Sequence, residues 1–548
     1  MTNVKILSLY EKIMENLIEN PMYSTCLEDE QLVAHKFSNG KVTDKLTERD
    51  VDNMVSGERK VFFLDAPPGA GKTTLIFQGP LKKLRERGKK ICYLVPRVSL
   101  AVSIKEQLSK NDKGAEEIRM RLNDYGVQKQ IDFGVMDILT YQSIFQLSEK
   151  DAEEYGLIVF DEIHYFIEDA NFNRETEKQL DFMLNKFQRA NKIFISATMQ
   201  DIFDSIYRKC RDIENSSFYK RRWYELYYFE RDYRYIIPRF FSDIEELILR
   251  IVNSNNKWLI FVDSIEKGNQ LVDIFNSKDK ELASFFDAKA KLDERSENVF
   301  NMITDETFST KIGILTNAYD VGINIRDKNL SVIMYSYTKT QFIQELGRKR
   351  INGKENVEVF INVPSKKKVR NRMVQIQQEL KRIYEKKEIY EKNPRFSGYC
   401  LEHPFYCVDG KVRMNSYAIA KLVNDYQTYE AITDITEDEY EKTYKSMILQ
   451  WLEWSTEDIE EYLVQNDSTN HIKLQIAGLI EKFNYQIPIE EFDIFVQKLL
   501  KIRDLRSDKR PDRKGSIQAV NKVLSLISYK ARKTTDGFYV IEPIEIGG

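Results

Sequence analysis

The residues best suited to chemistry lie in the run FFLDAPPGAGKTTLIF, which begins at Phe62. An apolar, strand-like segment (Val61–Asp65) enters a Gly/Pro loop, Lys72-Thr73-Thr74 follows, and a helical pattern continues beyond. Ala66, Pro67, Pro68, Gly69, Ala70, Gly71, Lys72, Thr73 and Thr74 have the spacing of a phosphate-binding loop whose first position is alanine. The chemistry demands these residue types. Gly69 and Gly71 let backbone N–H groups turn inward around phosphate oxygens, and the helix N-terminus adds its dipole. Lys72 reaches the β- and γ-phosphates, and the Thr73 hydroxyl ligates Mg²⁺. The expected cofactor is ATP or another NTP with Mg²⁺.

A second candidate group closes the apolar run LIVFDEIHYF, where Asp161 and Glu162 stand side by side. Ligands of open α/β sheets bind at the carboxyl ends of strands. Asp161 there would hold Mg²⁺ together with Thr73, and Glu162 would orient or deprotonate an attacking water. An Asp-Glu pair after a strand also serves as a helix cap, but its place downstream of the phosphate loop favours the hydrolytic role. His164 would couple domains or face a neighbour. Cys400, His403 and Cys407 could supply three zinc ligands, but a structural site wants four and no fourth Cys or His lies nearby. Zinc is not expected.

The elements that must position these groups are α/β in pattern. The apolar runs VFFLD, ICYLV, DILTY, LIVFD and KIFISAT alternate with helical stretches between Val61 and Thr198, which reads as buried parallel strands. A second series, KWLIFVDS, KIGILTN, LSVIMYS and NVEVFIN, follows residue 235. The expected division is a helical N-terminal extension (1–44), a first α/β domain (45–205), an aromatic and charged linker (206–235), a second α/β domain (236–365) and a mainly helical C-terminal region (366–548). Its end (about 500–548) looks winged-helix-like, with a hairpin at Asp536-Gly537 and a basic strand carrying Lys530, Arg532 and Lys533.

Composition sets the bounds. The 548 residues are 42% hydrophobic and 31% charged, which suits several globular cores and not a disordered chain. No run of about 18 apolar residues is present, so no transmembrane helix or membrane partner is expected. The N-terminus lacks the apolar core of a signal peptide. Five cysteines argue against a disulfide scaffold. A cytoplasmic location fits. The net charge of −3 excludes a uniformly basic nucleic-acid binder, so such binding must come from local patches. Residues 366–392 carry ten Lys/Arg against four Glu, and 430–461 carry eleven acids against two Lys.

Taken in order, the motifs resemble those of superfamily 2 helicases of the DExH group. They are APPGAGKT (66–73), Val95-Pro96-Arg97, Thr140-Tyr141-Gln142, Asp161-Glu162-Ile163-His164, Ser196-Ala197-Thr198, Ser264 after WLIFVD, TNAYDVGIN (316–324) and QELGRKR (344–350). The resemblance spans roughly residues 45–365 and implies two tandem RecA-like domains with an NTP in the cleft between them. Gln344, Arg348 and Arg350 would reach the γ-phosphate from the second domain, with Gly322 also at the nucleotide. His164, Ser196 and Thr198 would couple hydrolysis to movement. Pro96, Arg97, Thr140, Gln142, Ser264 and Thr316 would hold the nucleic-acid strand.

The expected activity is NTP hydrolysis driving a helicase or translocase on RNA or DNA, with a protein partner on the helical C-terminus. Two alternatives stand beside it. One is a non-unwinding translocase or sensor ATPase subunit of a restriction or defence complex. The other is a P-loop signalling ATPase gating protein binding. Three departures from the family pattern bear on the site. The two arginines stand two apart rather than three, with Ile351 at the expected place; on a helix this turns the second guanidinium away, so Arg348 is the expected finger. Asn324 stands where Asp is frequent. No Gln-containing adenine-reading motif precedes the loop, which leaves the choice of NTP open.

Overall fold

The structure, a computed structural model, describes residues 31–111, 130–132, 136–215, 223–286, 306–316, 324–351, 355–392, 401–465, 476, 479–483, 485–502, 517–524 and 529–543. Strands β1 (Leu32–Phe37), β2 (Val61–Asp65), β3 (Lys90–Val95), β4 (Gln130–Asp132), β5 (Met136–Thr140), β6 (Tyr155–Asp161), β7 (Asn191–Ser196) and β8 (Tyr224–Phe229) form one sheet. Their order is β1-β8-β2-β7-β6-β3-β5-β4, parallel except for β4. A second, wholly parallel sheet comprises β9 (Ile236–Phe241), β10 (Lys257–Val262), β11 (Ala283–Phe286), β12 (Ile312–Thr316), β13 (Leu330–Met334) and β14 (Val357–Asn362), in the order β11-β12-β10-β13-β14-β9. The chain thus holds two tandem α/β domains of RecA-like build.

Continuous apolar strands imply that both sheet faces are covered, and they are. Val61, Phe63, Leu94, Phe160 and Phe194 enter one core, while Phe62, Leu64, Val95, Val159 and Ile193 enter the other. Alternation along each strand assigns successive side chains to opposite cores. The second sheet buries Trp258, Ile260 and Val262 on one face and Leu259 and Phe261 between them along the strand.

Two expected boundaries move. The linker assigned to 206–235 is shorter, because the helix Phe203–Asn215 sends Ile206, Tyr207 and Cys210 into the first core and Tyr224–Phe229 is a strand of the first sheet. Its burial alternates imperfectly and it is rich in Tyr, which disguised it as a connector. Likewise, of the N-terminal extension (1–44), residues Leu32–Phe37 are strand rather than helix, paired with β8; residues 1–30 lie outside the described set.

Past the second sheet come helices α1 (Lys366–Lys392), α2 (Ser416–Thr433) and α3 (Glu437–Trp451), with a hairpin of β15 (Phe405–Val408) and β16 (Lys411–Met414) between the first two. Helix α2 plants Tyr417 and Ala418 in the first domain's core. In contrast, α3 lies on the second domain, where the Tyr440 hydroxyl donates to Pro364 O at 2.8 Å and Trp451 packs on Phe342. The C-terminal region therefore divides. Residues up to Glu453 belong with the two sheets, and Trp454–Gly548 form a separate compact unit. In that unit β17 (Gln486–Pro488), β18 (Tyr529–Lys533) and β19 (Phe538–Pro543) are ordered β17-β19-β18. The third strand thus comes from upstream of the boundary at about 500 that the sequence suggested.

Asn415 anchors α2 at its N-cap. It is fully buried, and its amide donates to Arg174 O at 3.2 Å and Thr176 Oγ1 at 2.9 Å. Its Oδ1 accepts from Tyr417 N at 3.1 Å. Replacing Asn415 with alanine strands these groups without water, which costs about 1–3 kcal/mol. We expect a correspondingly lower denaturant midpoint with an unchanged slope, measured by equilibrium unfolding.

Candidate nucleotide site at the cleft between the sheets

The loop Ala66–Gly71 leaves β2 and turns into the helix Lys72–Gln78. Gly69 and Gly71 hold φ of +76° and +85°, the left-handed region that glycine enters without strain. In this arrangement Lys72 Nζ donates to Ala66 O at 2.8 Å and Pro67 O at 3.1 Å, folding back over the loop it would share with phosphate. Burial lowers the Lys72 pKa to about 8, against the pull of Glu162 and Asp161.

Asp161 ends β6 beneath this loop. It accepts from the Tyr93 hydroxyl at 2.8 Å and from the Glu162 amide at 3.0 Å. The Thr73 side chain hydrogen-bonds the same tyrosine, so Thr73 and Asp161 share a neighbour as two holders of one cation would. Burial, reinforced by the Glu162 charge, pushes the Asp161 carboxyl up to about 7. Glu162 goes the other way. Burial would raise it, but His164, Lys72, Arg348 and Arg350 hold it below the usual carboxylate range. The shared proton of the pair therefore sits on Asp161 and leaves Glu162 anionic. Its backbone is left-handed, with φ of +53°, a strained conformation for a side-chain-bearing residue.

The second sheet completes the cleft. Helix Lys339–Leu346 presents Gln344, whose amide nitrogen lies 3.4 Å from His164 Nδ1 and 3.5 Å from Thr198 Oγ1. Ser196 Oγ is 3.5 Å from the same His164 nitrogen and 3.3 Å from Thr198 Oγ1. Burial, with Arg348 nearby, lowers the His164 pKa, so it is neutral at pH 7. Arg348 donates to Gln344 Oε1 at 3.2 Å and approaches Glu162 Oε1 to 4.0 Å.

Arg350 corrects the helical argument. The helix ends at Leu346, Gly347 and Arg348 turn, and the chain from Lys349 runs extended beside Ile325, with Arg350 N donating to Ile325 O at 2.9 Å. Extended backbone aims Arg350 at the phosphate loop: a Cβ built on Gly69 would lie 3.0 Å from Arg350 Nη1. Arg350 Nε donates to Asn324 Oδ1 at 2.7 Å, and Asn324 in turn donates to Glu306 at 3.1 Å. A neutral acceptor at 324 thus orients the arginine without cancelling its charge. Burial, then the neighbouring Arg348, lowers the Arg350 pKa to about 10, which leaves it charged at neutral pH. Gly347 is required for the close approach, since any Cβ there would sit 2.4 Å from Pro68 Cβ.

Between these walls lies a cleft of about 1300 Å³, also lined by Lys41, Gln78 and Arg326. Glu162 Oε2 and Arg348 Nε are buried in it without hydrogen-bond partners among the described residues. Unsatisfied groups of both signs at a phosphate loop fit a nucleotide with its cation and attacking water. Among the described residues, no group of three or more His, Cys, Asp or Glu could hold a metal by itself. Gly322 and Cys400 lie outside the described residues.

The expected strand-holding residues are at the carboxyl ends of their strands, but several are engaged. Pro96 is buried after β3, and Arg97 makes a bidentate pair with Asp169. Thr140 bonds Ser143, Gln142 bonds the Tyr165 hydroxyl, and Ser264 caps its own helix through Lys267 N. Thr316 is buried at the end of β12.

Sequence reasoning missed Lys41, which donates to Gly69 O at 2.7 Å, and Tyr93. It also missed Arg231, which pairs with Asp65 and donates to Ala197 O at 3.0 Å. The signal for the last was legible in part: Asp65 is a charge ending a wholly apolar strand, and a buried charge requires a partner.

The loop at 66–71, the acidic strand end and the arginines brought from a second sheet define the class, a protein of two tandem parallel α/β sheets with a P-loop at the cleft between them. Residues 47–205 match the family model described as DEAD/DEAH box helicase. Among curated proteins none matches the sequence. Solved structures with a similar fold include the DEAD-box helicase Mss116 bound to ssRNA and UDP-BeF, at 14% identity over 75% of this chain and 92% of that one, with a TM-score of 0.47. They also include the Mycobacterium smegmatis helicase Lhr bound to ssDNA and AMP-PNP, at 15% identity and a TM-score of 0.42. That match covers 61% of this chain and 47% of Lhr, so this chain spans about half of the Lhr length. A third is S. cerevisiae Dbp5 bound to RNA and ADP BeF3, at 15% identity over 57% of this chain and 82% of that one, TM-score 0.40.

The two perturbed groups set a pH window. Asp161 must lose its proton to hold a cation, which occurs as pH rises through about 7. Lys72 must keep its proton to meet phosphate, and loses it above about 8. We expect kcat/KM for NTP hydrolysis, which reports free-enzyme groups, to follow a narrow bell with limbs near those values. A flat profile between pH 6 and 9 refutes the assignment.

Proposed function

We propose that this chain is an NTP-driven motor on nucleic acid, a helicase or translocase. The observation that carries the reading is the delivery of Arg348 and Arg350 by the second sheet to Glu162 and Gly69 of the first. Lys72 binds the β- and γ-phosphates. Thr73 and Asp161 would hold Mg²⁺, which would supply charge neutralisation on the phosphate oxygens. Glu162, anionic, accepts the proton of the attacking water. Arg348 and Arg350 meet charge on the transferring phosphoryl group, a contribution on the order of 10³-fold or more in NTPases of this design.

Coupling follows from the same geometry. Gln344 touches His164 and Thr198 only while the sheets are together, so the side chains beside the γ-phosphate also report domain closure. Opening after hydrolysis would move the strand-facing loops of the two sheets relative to each other. Pro96, Arg97, Thr140 and Gln142 on the first sheet and Ser264 and Thr316 on the second sit in, or beside, the loops of this cycle. That the same arginines enter the site from a second sheet is more than a signalling P-loop ATPase requires.

The test is phosphate release from ATP with and without single-stranded RNA, single-stranded DNA and duplex. We expect several-fold stimulation by one polynucleotide, loss of at least about a hundredfold in Glu162→Gln, and a comparable loss in Arg348→Ala and in Arg350→Ala. Full activity in Arg350→Ala would leave Arg348 as the sole finger. Hydrolysis that no polynucleotide stimulates favours the signalling reading. Stimulated hydrolysis without strand displacement favours the translocase or sensor subunit.

A further inference from the structure

Phe172 is 82% exposed, the most exposed large apolar side chain among the described residues. A single surface apolar group is ordinary, but this one stands on a loop held from several sides. Phe172 N and Asn173 N both donate to Asp169 O, at 2.9 and 2.8 Å. Arg174 donates to Leu401 O at 2.8 Å, and Asn415 holds the backbone carbonyl of Arg174. The ring is thus presented to solvent by a fixed backbone, so little backbone ordering would oppose its engagement with a ligand.

What surrounds the loop says which ligand. Asp169, three residues before the ring, takes the bidentate pair from Arg97 after β3. Asn173, the next residue, donates to the Tyr165 hydroxyl at 2.9 Å, and Gln142 after β5 donates to the same oxygen at 3.0 Å. Tyr165 itself follows the Asp161-Glu162 pair after β6 and lies under the Arg97 guanidinium. One hydrogen-bonded network therefore ties the Phe172 loop to the carboxyl ends of three neighbouring strands. Because Arg97 is paired with Asp169 here, the bare ring stands beside a neutralised guanidinium and the exposed amide of Gln142. Such a surface suits the flat, uncharged face of a nucleobase. Aromatic side chains hold single strands by stacking, which tolerates any sequence because every base has a π-face.

We propose that Phe172 is a base-stacking residue of the bound single strand, adding contact with a base to a motor otherwise expected to hold phosphates. This rests on the nucleic-acid reading above. The test uses the full chain and single-stranded DNA and RNA oligonucleotides carrying 2-aminopurine, whose fluorescence falls on stacking, alongside strands with abasic positions.

Wild-type protein should quench the probe in at least one register and bind the matching abasic strand about tenfold more weakly. Phe172→Ala should lose the quench, bind the intact strand about tenfold more weakly and no longer distinguish it from the abasic strand. Phe172→Tyr should retain both properties. Thermal melting of each variant confirms that the fold is intact, which the exposure of the ring leads us to expect. If Phe172→Ala binds and quenches as wild type does, the inference fails while the motor reading stands; the ring then belongs to another contact, such as a protein partner. If wild-type protein binds neither strand, the motor reading fails and the inference with it.

Discussion

Everything in this molecule turns on bringing charges of both signs into one cleft away from water. Removing an ion from water costs several kcal/mol unless a partner replaces the lost solvation. Lys72, Asp161 and Glu162 come from the first sheet and Arg348 and Arg350 from the second. Neither set is balanced by itself. With a proton shared onto Asp161, three cations face essentially one full negative charge, Glu162. On the proposed motor reading, a triphosphate chain would supply the missing negative charge, and in doing so would favour a closed arrangement over an open one. A ligand shifts such an equilibrium only by its differential affinity for the two states. Here the differential is the pair of arginines that only the closed cleft supplies.

The helices after the second sheet belong to the same mechanical problem. Helix α2 is fixed to the first domain by Asn415 and Tyr417, and α3 to the second by Tyr440 and Trp451. The short connection between the two helices bridges the domains outside the cleft. Inside it, Arg231 on the true linker touches Asp65, at the entry of the phosphate loop, and the carbonyl of Ala197 between Ser196 and Thr198. Glu453, after α3, lies 3.9 Å from the same guanidinium. Any rotation of the sheets must be absorbed by this small set of contacts, because packed interfaces switch between discrete arrangements rather than deform continuously.

The local features of the site were legible because each is short-range. A phosphate loop needs glycines at the positions where backbone turns left-handed, and Gly69 and Gly71 occupy them. A buried parallel strand needs an unbroken apolar run, and the nine runs read as strands are all strands of the two sheets. The errors share a cause. Leu32–Phe37 is the edge strand and Tyr224–Phe229 the strand next to it; their partners are remote in sequence, and polar and aromatic residues replace the apolar run. Periodicity reports burial, and a half-exposed edge strand has little of it to report.

What the sequence by itself determined is therefore which residue types stand where: glycines and Lys72 in the loop at 66–73, paired carboxylates at 161–162, and arginines after Gln344. The rest was decided by tertiary structure. Whether Arg350 faces the nucleotide depended on the helix stopping at Leu346 and the next residues pairing with Ile325, a contact across more than twenty residues of chain. Whether Asp161 or Glu162 carries the proton depended on which of them lies beside His164, Lys72 and the two arginines. Residue types are inherited from the sequence, but side-chain direction and local dielectric arise only when distant segments are packed together, and those two quantities set the reactivity of the site.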